Sequence, residues 1–259
     1  MTEILIEPKD GWDWMHMRLG RANSVGPEFL QTMDDAIERL PKVDLEGPAR
    51  PVVVTGEKSA FSAGLDLPTL LTYDRAKMNA FLFDFDHTFS SFACLDRPVI
   101  GAINGHAVAG GAVLLLACDY RVGATLTPSG KPYQVGLRES AIGLSLPRVV
   151  SRIVRTSLPT GPTRMEVVLT GGLFSPLECV TRGLVQRLVE PEALADAGDQ
   201  EAARFAESTG RAAQNLKREF KSELYSGRTI APDDTEFLDA WFAVETQRRI
   251  NEVVESLKR

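Results

Sequence analysis

The chain has 259 residues and little that could carry metal or redox chemistry. It has three cysteines, Cys94, Cys118 and Cys179, with no pair at Cys-x-x-Cys spacing, and each sits among apolar residues, as in Leu116-Ala117-Cys118. That pattern excludes a disulfide framework and a thiolate metal site. It predicts buried free thiols in a reducing compartment. The three histidines, His16, His87 and His106, form neither His-x-x-x-His nor His-Glu-x-x-His, so no metal site is expected. His106 is expected to be packed or hydrogen-bonded. Ser129-Gly130-Lys131 resembles the end of a phosphate-binding loop, but Thr125 stands where that loop needs its first glycine, which rules out nucleotide hydrolysis. No Gly-x-Ser-x-Gly elbow is present.

Positive charge is also short. Lysine and arginine number 29 against 35 aspartates and glutamates, for a formal net charge of -6. General nucleic-acid binding needs a basic face and is not expected. A few local cations can still hold a small anionic ligand, and Arg21 and Lys58 are candidates. No apolar run approaches the ~18 residues of a membrane span. The opening Met1-Thr2-Glu3-Ile4-Leu5-Ile6-Glu7-Pro8 has neither the form of a secretory signal nor that of an Arg-rich transit peptide, so a cytoplasmic setting is expected.

The chain does contain short apolar runs alternating with helical patterns. Ile4 to Ile6 and Met15 to Leu19 read as strands around a turn at Asp10-Gly11. Pro27 suits a helix start, and Phe29, Leu30, Met33, Ile37 and Leu40 follow at helical spacing. Pro51 to Thr55 and Pro98 to Ile103 read as strands covered on both faces, with a helix between them from about Asp74 to Leu95. Ala112 to Ala117 reads as a buried helix, and Cys118 to Val122 returns as a strand. This order argues βαβ crossovers and a mostly parallel sheet, an α/β fold. From about residue 192 strands give way to helical spacing, as in Phe237, Leu238, Trp241, Val244, Ile250, Val253, Val254 and Leu257. The expected division is a core over 1–191 and a helical subdomain over 192–259.

Two small-residue loops follow the buried strands, Phe61 to Leu67 and Asn104 to Gly111. Small residues let backbone approach a ligand closely. A helix beginning near Gly110 presents free N–H groups and its positive dipole end. One N–H from each loop could converge on a carbonyl oxygen as an oxyanion hole. On spacing alone, tight turns and close helix packing account for the same glycines.

The ordered motifs Phe61-Ser62-Ala63-Gly64-Leu65-Asp66-Leu67, Asn104-Gly105, Gly110-Gly111, Cys118-Asp119-Tyr120-Arg121, Leu169-Thr170-Gly171-Gly172 and Gly183-Leu184-Val185 resemble the crotonase (enoyl-CoA hydratase/isomerase) family from about residue 4 onward. The resemblance implies a spiral of ββα units. It also implies a C-terminal helical part that helps build a homotrimer or a dimer of trimers. The substrate would be an acyl-CoA or acyl-carrier thioester, with coenzyme A entering only as part of it and no separate cofactor. The N–H groups of Ala63 and Gly110 would hold the thioester oxygen, with Gly64, Leu65, Asp66 and Leu67 about the substrate.

Hydratases of the family use two glutamates, and here Val113 stands at the first position and Glu139 at the second. A lone carboxylate suits double-bond isomerisation better than water addition. The sub-pattern resembles mitochondrial-type Δ3,Δ2-enoyl-CoA isomerases in Ala109-Gly110-Gly111, in Gly136-Leu137-Arg138-Glu139, in Leu173 to Pro176 and in Asn23-Ser24. Arg138 departs from it. Lying next to the base, Arg138 is expected among the substrate-binding residues, with a bearing on acyl-chain choice or on the pKa of Glu139. The other readings are a different crotonase-type reaction, or a non-catalytic acyl-CoA-binding subunit. Without the motif, Glu139 would read as a solvated carboxylate or as a partner of Arg138.

Overall fold

The structure is a computed structural model that describes residues 3–227 and 233–256; Leu257, expected on the last helical stripe, lies outside them. Strands β1 (Glu3–Pro8) and β2 (Asp13–Arg18) form an antiparallel hairpin, and α1 (Pro27–Arg39) follows. Proline in the first turn of α1 costs no hydrogen bond there, and Phe29, Leu30, Met33 and Ala36 form its buried stripe.

Three turns of a spiral come next. The first is β3 (Val52–Thr55), β4 (Ala60–Ser62), α2 (Leu67–Leu70) and α3 (Arg75–Ala93). The second is β5 (Val99–Ile103), β6 (His106–Val108) and α4 (Gly110–Ala117). The third is β7 (Tyr120–Ala124), β8 (Val135–Gly136), α5 (Arg148–Ser157), α6 (Pro162–Thr170) and α7 (Pro176–Thr181), closed by β9 (Arg187–Val189). Helices α8 (Leu194–Ala206), α9 (Gly210–Phe220), α10 (Ser222–Gly227), α11 (Thr235–Trp241) and α12 (Val244–Ser256) complete the described chain.

Each turn lays its first strand in one sheet and its second in another. The larger sheet runs β1-β2-β3-β5-β7-β9, parallel from β2 onward, and the smaller runs β4-β6-β8, all parallel. The expected parallel sheet and buried strands are present. Val52, Val53 and Val54 are each 0% exposed, because the two faces of β3 serve different cores. Val52 and Val54 join the main core, whereas Val53 packs with Ile100, Ala102 and Val122 beneath Leu194, Ala197 and Ala202 of α8. Each such aliphatic side chain contributes about 1.5–3 kcal/mol by burial. Helix α8, from the run expected to form a helical subdomain, thus covers the outer face of the sheet.

Several motif residues are scaffold. The Arg121 guanidinium donates to the carbonyls of Leu184 (2.7 Å), Cys118 (2.9 Å) and Gly183 (3.2 Å), which ties β7 to the turn before β9. Asp119 accepts the Val99 N–H at 2.7 Å and ion-pairs with Lys217 (2.7 Å) and Lys221 (2.6 Å). Asn104 accepts from Gly56 N–H at 3.0 Å and donates to the Lys58 carbonyl at 3.1 Å, holding together the turns that lead into the smaller sheet. All three cysteines are buried and none is in a disulfide.

Candidate active site

Strands β4 and β6 are neighbours, so the loops that leave them lie side by side. Gly64 has φ +83°, and a Cβ built on it would stand 2.4 Å from the Val108 carbonyl oxygen. Only glycine permits that approach. A parallel bridge between Val25 and Leu65 then orients the first loop. Val25 N–H donates to Gly64 O at 2.7 Å and Asp66 N–H donates to Val25 O at 2.9 Å. Alternation along an extended segment turns the N–H of Leu65 to the opposite side, toward the second loop. A Cβ built on Gly110 would be 3.6 Å from the Leu65 nitrogen.

Gly110 opens α4, where an N–H has no intrahelical acceptor and lies at the positive end of the helix. The residue before it, Ala109, has φ +51° and ψ -122°, a strained conformation for a residue with a side chain, and its own N–H donates to the Gly136 carbonyl at 2.8 Å. The N–H groups of Leu65 and Gly110 therefore face one small volume.

Ala63, the expected partner of Gly110, is not there. Its N–H donates to the Ala22 carbonyl at 2.9 Å and the residue is exposed. The correction is a shift of two residues, to Leu65. The bond to Ala22 consumes the Ala63 amide and leaves that of Leu65 for the pocket.

Glu139 lies across the pocket from these amides. It precedes a 3₁₀ turn at Ser140–Ile142, is 6% exposed, and its Oε2 is buried with no hydrogen-bond partner. Burial raises its pKa from the ordinary 4.5 to about 7, against a smaller opposing pull from the backbone amides of Glu139 and Arg138. It is thus neither a solvated carboxylate nor a partner of the Arg138 side chain. Arg138 is turned away, its guanidinium donating to the Gly171 carbonyl at 2.8 Å, and it does not line the pocket. The expectation that it touches substrate is corrected accordingly.

The pocket has ≈ 330 Å³ of empty space. Leu65, Gly110, Val113 and Glu139 line it together with a wall of Phe81, Leu82, Phe85, Pro147, Val150 and Phe237. Val113 is fully buried one turn beyond Gly110 on α4. The sequence reading missed the six wall residues. A usable signal existed in Phe81, Phe85 and Phe89, spaced four apart on α3.

Other expected site residues lie nearby but off this pocket. Asp66 accepts from the Thr69 hydroxyl at 2.6 Å, next to the start of α2, and Leu67 packs on the core. His106 Nδ1 accepts from Gln134 N–H at 3.2 Å and meets Tyr133 edge-on, so it is packed and hydrogen-bonded as expected. Lys58 lines a second, more polar cleft of ≈ 410 Å³ with Gly20, Ala22, Asn23, Glu57 and Ser59. Asn23 braces that cleft, accepting from Leu19 N–H at 2.7 Å and donating to the Phe61 carbonyl at 3.0 Å. Arg21 is not among its lining residues.

A doubly sheeted ββα spiral brings two loop amides and one buried carboxylate to one pocket, an arrangement that can hold a carbonyl oxygen and move a proton beside it. Comparison with known proteins gives the family: the Enoyl-CoA hydratase/isomerase profile matches residues 15–245, and the chain belongs to that family, the crotonases. The chain is 31% identical over 224 residues to the fatty acid oxidation complex subunit alpha of Idiomarina loihiensis, an alignment that covers 85% of this chain but 28% of that longer protein. It is 27% identical over 213 residues to the probable enoyl-CoA hydratase echA8 of Mycobacterium tuberculosis, covering 81% of this chain and 79% of that one. Among solved structures, human mitochondrial delta3-delta2-enoyl-CoA isomerase superposes with a TM-score of 0.86, at 24% identity over 99% of this chain and 98% of the other. Among the described residues no helix is long and apolar enough to cross a membrane.

Proposed function

We propose that the protein is an isomerase that moves a double bond from C3 to C2 of an enoyl-CoA thioester, with Glu139 as its single acid/base group. The observation that carries this reading is the solitary Glu139 carboxylate, buried in one pocket with Gly110, Leu65 and Val113, the last standing where a hydratase would have its first glutamate.

The thioester oxygen accepts the N–H groups of Leu65 and Gly110. Ionised Glu139 removes a proton from C2 of the 3-enoyl thioester, and the electron pair delocalises into a dienolate whose oxygen those amides stabilise. Each such donor is worth about 3 kcal/mol in a transition state of this kind. The same carboxyl group, now protonated, returns the proton at C4. No atom is gained or lost, so one group serves both steps. A pKa of about 7 suits it to accept and then release a proton near neutral pH. The apolar walls keep out the water that would compete for the intermediate. Val113 offers no carboxylate to position an attacking water, which disfavours hydration. The proposal assigns the coenzyme A portion to the polar cleft beside Lys58, and the reaction requires no other cofactor.

The test is to incubate the purified protein with a 3-enoyl-CoA and follow formation of the conjugated 2-enoyl product by absorbance, with mass unchanged. Release of free CoA or a gain of one water in mass would replace this reading with thioester hydrolysis or hydration.

A further inference from the structure

Helix α3 contributes a row of aromatic rings to the pocket. Phe81, Phe85 and Phe89 follow one another at about one helical turn. The first two line the pocket and Phe89, 1% exposed, does not. Phe85 lies flat against Phe89, with ring centroids 4.1 Å apart and planes 20° apart, and Phe81 leans on it at 6.2 Å. One ring of the pocket lining is therefore itself backed by a second ring. On the facing side Val150 comes from α5 and Phe237 from α11, the latter stacked on Trp241 at 5.9 Å. Among the described lining residues Glu139 is the only one with an ionisable side chain, and the ≈ 330 Å³ of empty space is at the lower end of small-molecule sites.

The geometry points to Phe85 as the residue that limits acyl-chain length. The substrates are wholly apolar acyl groups of short to medium chain, hexenoyl rather than dodecenoyl, and not acyl groups ending in a second carboxylate. A terminal carboxylate would be buried against rings with no partner. A dodecenoyl tail would have to displace Phe85, which cannot move without unstacking from Phe89. This inference rests on the acyl-thioester reading above and not on the particular reaction.

The experiment uses saturated acyl-CoAs, so that binding is read without turnover. Their affinities for the full chain are measured by calorimetry from butanoyl to dodecanoyl. The wild type is expected to gain about fourfold per added methylene while the tail is being buried, then to stop gaining or lose affinity beyond about the octanoyl chain. Phe85→Ala, and the milder Phe85→Leu should the alanine variant fold poorly, move that break to longer chains. They also raise the ratio of dodecenoyl to hexenoyl kcat/KM by about tenfold or more. A wild-type affinity that keeps climbing through dodecanoyl overturns the proposal. So does a break at the same chain length in folded Phe85→Leu. A break that shifts as expected, in a protein that isomerises nothing, supports the Phe85 wall and sinks only the isomerase reading.

Discussion

Asp13 and Glu139 are both buried carboxylates, and the structure treats them in opposite ways. Asp13, on β2, is 0% exposed. Arg50 reaches both its oxygens, at 2.8 Å each, and Arg97 adds a further hydrogen bond. Burial pushes its pKa up, but the two guanidiniums outweigh that and hold it below the usual carboxylate range. Glu139 is nearly as buried, has no cation, and is pushed up to about 7. Burial is common to both sites, so what separates a structural acid from a poised one is the partner. The first region spends its charge on holding β2, β3 and the start of β5 together. The second leaves charge available for a proton.

The largest expected effect tests the poised side of this contrast. Glu139→Gln preserves shape and removes the base, and is expected to lower kcat for 3-enoyl-CoA by about 10²–10⁴. In the wild type, kcat/KM should rise about tenfold per pH unit up to roughly pH 7 and level off above it, because only the ionised form accepts the proton. Turnover by Glu139→Gln within a few-fold of wild type would remove Glu139 from the chemistry.

Next in size is the structural side. Asp13→Asn leaves Arg97, 3% exposed, without its carboxylate, and is expected to cost about 3–5 kcal/mol of stability. Chemical denaturation measures this, and kcat of the folded protein at low temperature should be little changed. A loss under about 1 kcal/mol would mean that the guanidinium rests mainly on the Arg50, Pro41 and Pro51 carbonyls it also reaches.

The two acids also predict opposite stability trends with pH. Asp13 has a depressed pKa, so its contribution is complete above the ordinary 3.8 and is lost as pH falls through the lower folded value. Glu139 has a raised pKa, so the fold binds its proton more tightly than the unfolded chain does. Stability therefore falls as pH rises from about 4.5 through about 7. Glu139→Gln should then be more stable than wild type at pH 8, by an amount on the order of 3 kcal/mol as an upper bound, and near parity at pH 4. Thermal melts at the two values check this, and a pH-independent difference would contradict the assigned shift.

How far the sequence carried the reading follows the same physical lines. The long β-branched runs of β3 and β5 and the apolar stripe of α1 announce themselves, because burial on a fixed period is written in residue type. Strands β4, β6 and β8, at three, three and two residues, are too short to show alternation, so the smaller sheet was legible only as loops. Glu139 is legible as a candidate base through its motif. The Ala63-to-Leu65 shift is not, because it depends on which side of one parallel bridge an amide faces. Helix α8 was read as part of a helical appendage because its apolar residues Leu194, Ala197 and Ala202 fit a helix whatever it packs against.

The smallest expected effect concerns Arg138, whose neighbourhood in sequence suggested an influence on the base. Its side chain contributes a hydrogen bond to the Gly171 carbonyl, while only its backbone amide bears on the Glu139 carboxylate. Arg138→Gln should therefore cost about 1 kcal/mol of stability through the lost bond. It should leave kcat/KM within about twofold, as for substitutions outside a site, and the pH midpoint near 7 in place. A midpoint displaced upward in this variant would mean that the guanidinium charge does reach the carboxylate. Glu139 would then belong with Asp13 among the acids whose ionisation a cation assists, and the contrast between the two regions would be one of degree.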